Sequence, residues 1–369
     1  MTTPTPKPGI LTIDPYVPGA STAGKPVRGD DGPVHKLSSN ESALGASPKA
    51  MEAFNTTAET LFVYPDGAAR VLREKIGAVH GLDPARIVCG AGSDELLQLL
   101  TRAYAGDGDN VVQSAHGFLV YALAAKACGA EIRYAPEKNL TCDVNAMIDA
   151  SDEATRIVFI ANPNNPTGTY LPTSEIRRLR EGLRDDILLV VDAAYAEYMD
   201  EADYDAGAGL VDDFDNVVMT RTFSKIYGLA ALRLGWCYGP PAIIDVLNRI
   251  RGPFNVSAPA IAAGAAAVED QTFVLENRAH NRAERDFLHQ ALGGLGLDFT
   301  PSFANFVLVR FPDTPGKNAA DILAFLKTNG VLVRDMTAYR LPDCLRLSIG
   351  SKTANRRMMA LLEEKFRHE

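Results

Sequence analysis

Short apolar runs alternate with helical patterns along most of the chain. RIVCG (Arg86–Gly90) leads through Ala91, Gly92 and Ser93 into the helical stretch DELLQLLTRAYA (Asp94–Ala105). NVVQS (Asn110–Ser114) precedes a helix near Val120–Cys128. RIVFIANP (Arg156–Pro163), DILLVVDAAY (Asp186–Tyr195), NVVMTRTFS (Asn216–Ser224) and LRLGWCYG (Leu232–Gly239) continue the rhythm. Strands that read as unbroken apolar runs and are separated by helices predict an α/β fold with a mostly parallel sheet covered on both faces. Upstream, helical patterning falls around Ser47–Thr57 and Ala68–Val79. From about Val256 the pattern changes: an Ala-rich helical stretch leads to strands NFVLVRF (Asn305–Phe311) and CLRLSIG (Cys344–Gly350), with amphipathic helices between and after them. That predicts a smaller α+β unit. The first residues, rich in Pro, Gly, Thr and Ser, read as an extended arm. The expected organisation is an arm over 1–35, a large domain over 36–255 and a small domain over 256–369, completed by part of the N-terminal segment.

Composition narrows the function more than the fold. The chain has 369 residues with 46% hydrophobic and 22% charged, ordinary for a globular protein. Its net charge of −9 argues against general nucleic-acid binding, which needs a basic face. No apolar run approaches the roughly 20 residues of a membrane helix, and MTTPTPKPGI has no apolar core of a signal peptide. The five cysteines are scattered without a CxxC pair, which argues against a disulfide framework or zinc site and for a reducing cytoplasm. The histidines are equally scattered, so no metal is expected.

In parallel α/β sheets, ligands bind beyond the carboxyl ends of the strands. Gly90-Ala91-Gly92-Ser93 can cradle a phosphate on helix N–H groups, or form a tight turn with an ordinary cap. Asn162-Pro163-Asn164-Asn165-Pro166-Thr167-Gly168 is a rigid polar loop, able to face a ligand or to be only a turn. Asp192 ends the apolar run 187–191, with Tyr195 three residues on. A carboxylate there needs a partner, although a helix cap would satisfy it equally. Ser224-Lys225 and Arg233 follow the next run. A partly desolvated lysine is a candidate nucleophile, whereas most lysines are solvated surface charges. What separates these readings is the joint pattern at successive strand ends.

That pattern resembles the fold-type I pyridoxal-phosphate aminotransferases of classes I and II. It is carried by NPNNPTG (Asn162–Gly168), DAAYAEY (Asp192–Tyr198), RTFSKIYGLAALRLGW (Arg221–Trp236) and LRLSIG (Leu345–Gly350), in that order, over nearly the whole chain. PYVPG (Pro15–Gly19), SSNES (Ser38–Ser42), VYPDG (Val63–Gly67) and RGPFNVS (Arg251–Ser257) are similar to the histidinol-phosphate subgroup in particular.

The resemblance implies a seven-stranded, mostly parallel sheet and pyridoxal 5′-phosphate as cofactor. It implies that Lys225 carries the cofactor covalently and moves a proton between the substrate's α-carbon and the cofactor's C4′. Asp192 would pair with the pyridine nitrogen, Tyr195 and Asn165 with the ring 3′ oxygen, and Phe118 would cover the ring. Ala91, Gly92, Ser93, Ser224 and Arg233 would hold the phosphate, joined by Tyr64 from a second subunit, so that a homodimer is part of the active site. Arg346 would take the glutamate carboxylate in one half-reaction and the phosphate of histidinol phosphate in the other, with Arg334, Tyr16 and Asn40 as companions. Ala193 stands where many members have Glu, and Gly117-Phe118 replaces a Thr-Tyr-like pair, which bears on the exact substrate.

The reaction implied is transamination between L-histidinol phosphate and 2-oxoglutarate, both small molecules. The alternatives are transamination of phenylalanine or tyrosine, and decarboxylation of a phosphorylated threonine. A non-enzymatic regulator built on the same fold would carry an N-terminal DNA-binding domain; about 35 mostly unstructured residues before the fold, and the acidic balance of the whole chain, argue against that reading.

Overall fold

A computed structural model describes residue 6 and residues 9–14, 28–29 and 32–366. Tyr16 lies outside the described residues, as does most of the expected arm.

The central sheet has seven strands: β1 (Ile87–Gly90), β2 (Asn110–Ser114), β3 (Glu131–Ala135), β4 (Thr155–Ala161), β5 (Leu188–Asp192), β6 (Val217–Thr222) and β7 (Gly235–Tyr238). Their spatial order is β1-β7-β6-β5-β4-β2-β3. β7 runs antiparallel to both of its neighbours, and every other pair is parallel. Successive residues of the central strands feed two different cores. Val158, Ile160, Leu189, Val191 and Met219 pack on one side with the helices Arg70–His80 and Ala258–Glu269. Ile157, Phe159, Leu188, Val190 and Val218 pack on the other with the helices Ser93–Tyr104 and Pro241–Ile250. Burial on both faces is why these strands read as unbroken apolar runs.

β3 was not among the apolar runs. It lies at the sheet edge, and of EIRYA only Ala135 is buried, so the sequence shows no continuous run there.

A second sheet joins β8 (Asp298–Phe299), β9 (Phe306–Arg310), β10 (Arg334–Asp335) and β11 (Cys344–Ser348), antiparallel throughout in the order β8-β9-β11-β10. His35–Lys36 pairs in parallel with Val331–Leu332, and Leu37 enters the core beneath this region. Ala260, Ala263, Ala267 and Val268 belong to the first core, whereas Leu288 and Leu292 belong to the core of the second sheet. The change of core therefore falls along the long helix Gln271–Gly294.

No helix among the described residues is long and apolar enough to cross a membrane. No cluster of His, Cys, Asp or Glu among them could hold a metal ion.

Candidate active site

The carboxyl ends of β4, β5 and β6 meet the second sheet around a cavity of about 190 Å³. Of the expected residues, Asn165, Asp192, Tyr195, Ser224, Lys225 and Arg233 line it. So do Asn40, Ser93, Phe118, Arg334 and Arg346.

Asp192 is the last residue of β5 and only 3% exposed. Cross-strand register places it opposite Thr220 of β6, whose hydroxyl donates to its Oδ1 at 3.1 Å. The Tyr121 hydroxyl donates to Oδ2 at 2.7 Å. Burial pushes the Asp192 pKa from 3.8 up to about 6, against the pull of these two donors, with Asp94 adding to the rise and Lys225 opposing it. A buried acid whose hydrogen-bond donors are neutral hydroxyls keeps its charge available for a cationic group in the cavity.

After β6 the chain turns sharply through Ser224 and Lys225. Gly228 permits that turn: its φ is +69°, and a Cβ there would lie 2.0 Å from the Gly45 carbonyl oxygen. Lys225 is partly buried, its Nζ donating to the Ser39 carbonyl at 3.4 Å and lying 5.6 Å from the Tyr195 ring centre. Arg233, in a left-handed conformation with φ +50°, donates from Nη1 to the Ser224 hydroxyl at 3.1 Å and from Nη2 to Asp94 Oδ2 at 3.1 Å. The second contact sets the guanidinium beside the start of the helix Ser93–Tyr104, whose N-terminus favours anions. Gly235 lets β7 approach that helix start, because a Cβ there would sit 2.3 Å from the Ser93 amide nitrogen.

The Asn162–Gly168 loop has two cis peptide bonds, Asn162-Pro163 and Asn165-Pro166. Asn162 ties down the loop by exchanging hydrogen bonds with the Leu171 backbone. Asn165 Oδ1 accepts from Arg346 Nη1 at 2.5 Å, while Arg346 Nη2 donates to the Ser38 carbonyl at 3.0 Å. Arg346 is thus buried at the cavity wall and held from two elements rather than directed into solvent. Tyr195 OH accepts from Asn40 Nδ2 at 3.0 Å, so its own proton is free to turn toward a ligand. Asn40 is fixed in turn by Ser348 and Asn305.

Three expected residues do not line the cavity. The Ala91 N–H donates to Glu95 Oε2 at 2.6 Å, and the Gly92 N–H donates to the Gly90 carbonyl at 2.8 Å, so both amides are already engaged. Tyr64 is 79% exposed and stacks on Phe254 with ring centres 4.5 Å apart. Conversely, Tyr121, Thr220 and Tyr339 belong to the site without having been singled out. Tyr121 stands three residues after Phe118 at the start of one helix, and that spacing was the available signal.

The chain belongs to the class I and II aminotransferases, whose family model matches residues 33–362. It is 56% identical to the histidinol-phosphate aminotransferase of Maricaulis maris over 97% of each chain. It is 54% identical to that of Paramagnetospirillum magneticum over 99% of each. Among solved structures, the histidinol-phosphate aminotransferase from Sinorhizobium meliloti in complex with pyridoxal 5′-phosphate superposes with a TM-score of 0.84, at 28% identity over 90% of each chain.

Proposed function

We propose that the protein transfers the amino group of L-histidinol phosphate to 2-oxoglutarate, giving imidazole-acetol phosphate and L-glutamate, as a step of histidine biosynthesis. The observation that carries this reading is the placement of Asp192, Lys225 and the Ser224–Arg233 pair on successive strand ends around one cavity. The donor set fits pyridoxal 5′-phosphate. A buried carboxylate with hydroxyl partners suits a protonated ring nitrogen, a lysine suits an aldehyde carbon, and a helix start with Ser93, Ser224 and Arg233 suits a phosphate. The bound cofactor supplies an electron sink for the carbanion left when the substrate's α-proton departs.

The chain's own residues do the rest. Asp192 keeps the ring nitrogen protonated. The amine of Lys225 would hold the cofactor and, once the substrate's amino group has displaced it from the aldehyde carbon, would be free to carry the proton between the substrate's α-carbon and C4′. Tyr195 and Asn165 face the ring oxygen. Arg346 has taken the Asn165 carboxamide oxygen, so Nδ2 is the Asn165 atom that can donate. Phe118, which lines the cavity, would lie against the ring. Ser93, Ser224 and Arg233 hold the phosphate end; with the Ala91 and Gly92 amides engaged elsewhere, the two side chains and the arginine carry more of that task. Arg346 and Arg334 receive the carboxylate of glutamate or the phosphate of histidinol phosphate, because a guanidinium fork suits both.

The active unit is a homodimer in the cytoplasm. In support, the five cysteines are free thiols, and Leu61, Phe62, Val63 and Tyr64 form an exposed apolar run next to Phe254. Tyr64 reaches the phosphate of the partner subunit's cofactor. Mixing inactive Tyr64→Ala and Lys225→Ala proteins then restores activity through heterodimers that keep one intact site. Verified subunit exchange without recovery would contradict the reading.

The substrate is tested by single turnover. The cofactor-loaded enzyme is mixed with L-histidinol phosphate or with L-phenylalanine at equal concentration, and the cofactor absorbance is followed. Histidinol phosphate is expected to react at least a hundredfold faster, which is about 2.7 kcal/mol of discrimination. Equal or faster reaction of phenylalanine would make the protein an aromatic aminotransferase.

A further inference from the structure

The acid lining the cavity is held by two hydroxyls whose residues have no assigned part in the proposed chemistry. Tyr121 and Thr220 are both fully buried. Their hydroxyls donate to opposite oxygens of Asp192, at 2.7 Å to Oδ2 and 3.1 Å to Oδ1. The Tyr121 ring is itself fixed. It stacks on Phe159 with centres 4.5 Å apart and planes 4° apart, and it meets the Phe118 ring edge-on at 5.7 Å. One side chain therefore touches both the acid that would pair with the cofactor's ring nitrogen and the aromatic side chain that would lie against the ring.

We propose that Tyr121, with Thr220, is a positioning residue that keeps Asp192 ionised and aimed into the cavity, so that the proton shared between Asp192 and the cofactor's ring nitrogen resides on the nitrogen. This rests on the reading of the cavity as the cofactor site.

The physical case is a balance between burial and donors. Burial favours the neutral acid, and the two hydroxyls favour the anion. The other titratable groups facing Asp192 are Lys225, which favours the anion, and Asp94, which opposes it; Tyr195, Tyr204 and Tyr339 stand nearby. A hydroxyl stabilises a carboxylate without neutralising it, whereas a guanidinium in the same place would take up the charge the ligand needs. Burial and the neighbouring carboxylate hold Tyr121 neutral, far above the usual tyrosine range, so it stays a donor. Without these donors, the proton moves from the ring nitrogen to an Asp192 oxygen, and the ring becomes a weaker electron sink.

The test reconstitutes the protein with cofactor labelled with ¹⁵N in the ring and reads the nitrogen chemical shift against pH. Four variants are compared with the unaltered protein: Asp192→Asn, Tyr121→Phe, Thr220→Val and Thr220→Ser. Tyr121→Phe and Thr220→Val are expected to move the signal part-way toward the unprotonated value and to speed cofactor release roughly tenfold, on the scale of one hydrogen bond to a charged group. Thr220→Ser keeps the hydroxyl and stays near the unaltered protein. Asp192→Asn shows the full shift and serves as the reference. If Asp192→Asn shifts the signal and neither Tyr121→Phe nor Thr220→Val does, the positioning role is overturned and the cofactor reading stands. If Asp192→Asn itself leaves the signal unmoved, the assignment of Asp192 to the ring nitrogen fails, and the inference fails with it.

Discussion

Two acids stand at and just after the end of β5, and the protein treats them in opposite ways. Glu197 is paired with Arg221 of β6 at 2.8 Å, and both side chains are less than a tenth exposed. Trp236 lies against that guanidinium at 5.4 Å, and Arg278 donates to the Glu197 backbone carbonyl at 2.6 Å. Asp192 sits beside Thr220, the residue next to Arg221, yet its hydrogen-bond donors are two hydroxyls. Adjacent residues of β6 point to opposite faces of the sheet, so one face carries a closed ion pair and the other an acid without a cation bonded to it. The first arrangement holds the strand ends together. The second leaves charge for a ligand.

The comparison breaks most visibly in turnover. Lys225→Ala should abolish transamination, by roughly four orders of magnitude or more, while leaving a folded protein that binds the cofactor weakly. Steady-state rates and circular dichroism check both halves. Asp192→Asn should lower turnover about a hundredfold or more, the scale of removing one preorganised electrostatic contact.

Asp192→Asn should also act on the cofactor-free protein in the opposite direction. Its carboxyl pKa stands near 6 in the fold against 3.8 unfolded, so the folded state binds the extra proton between those values. Below about pH 4 the group contributes nothing, and as pH rises through 6 the folded protein loses stability. Asp192→Asn should therefore be the more stable protein at pH 8, by up to about 3 kcal/mol, with the gap closing near pH 4. Denaturant titrations of both apoproteins across that range measure it.

Glu197→Gln should do the reverse. It strands the buried Arg221 and costs about 3–5 kcal/mol in stability, whereas the double change Arg221→Met with Glu197→Leu should recover most of that loss. A smaller effect is expected at the turn that presents Lys225. Gly228→Ala meets the Gly45 carbonyl and an unfavourable positive φ, and should cost about 1–3 kcal/mol, read as a lower unfolding midpoint.

The central strands were legible because burial on both faces leaves an unbroken apolar signature, as in Ile187–Val191. Edge strand β3 and the two-residue strands β8 and β10 leave none. They depend on what pairs beside them rather than on their own residues. In the site, Asp192 was legible because it closes the apolar run of β5, and Asn165 and Lys225 because they lie in the loops just after β4 and β6; Arg233, between β6 and β7, was legible only through its spacing from Lys225. Tyr121 and Thr220 were not: a helix residue and a mid-strand threonine become partners of Asp192 only through sheet register and helix docking. The engaged amides of Ala91 and Gly92 were hidden for the same reason, since Glu95 and Gly90 claim them only in the folded turn.

The most direct test of the account asks whether Lys225 carries the cofactor. Protein loaded with pyridoxal 5′-phosphate is treated with borohydride, which turns an aldehyde–lysine linkage into a stable amine, then digested and mapped by mass spectrometry. The account predicts a single modified lysine, Lys225, and no stable label in Lys225→Ala. A label on a different lysine, or none in the unaltered protein at full cofactor occupancy, would contradict it.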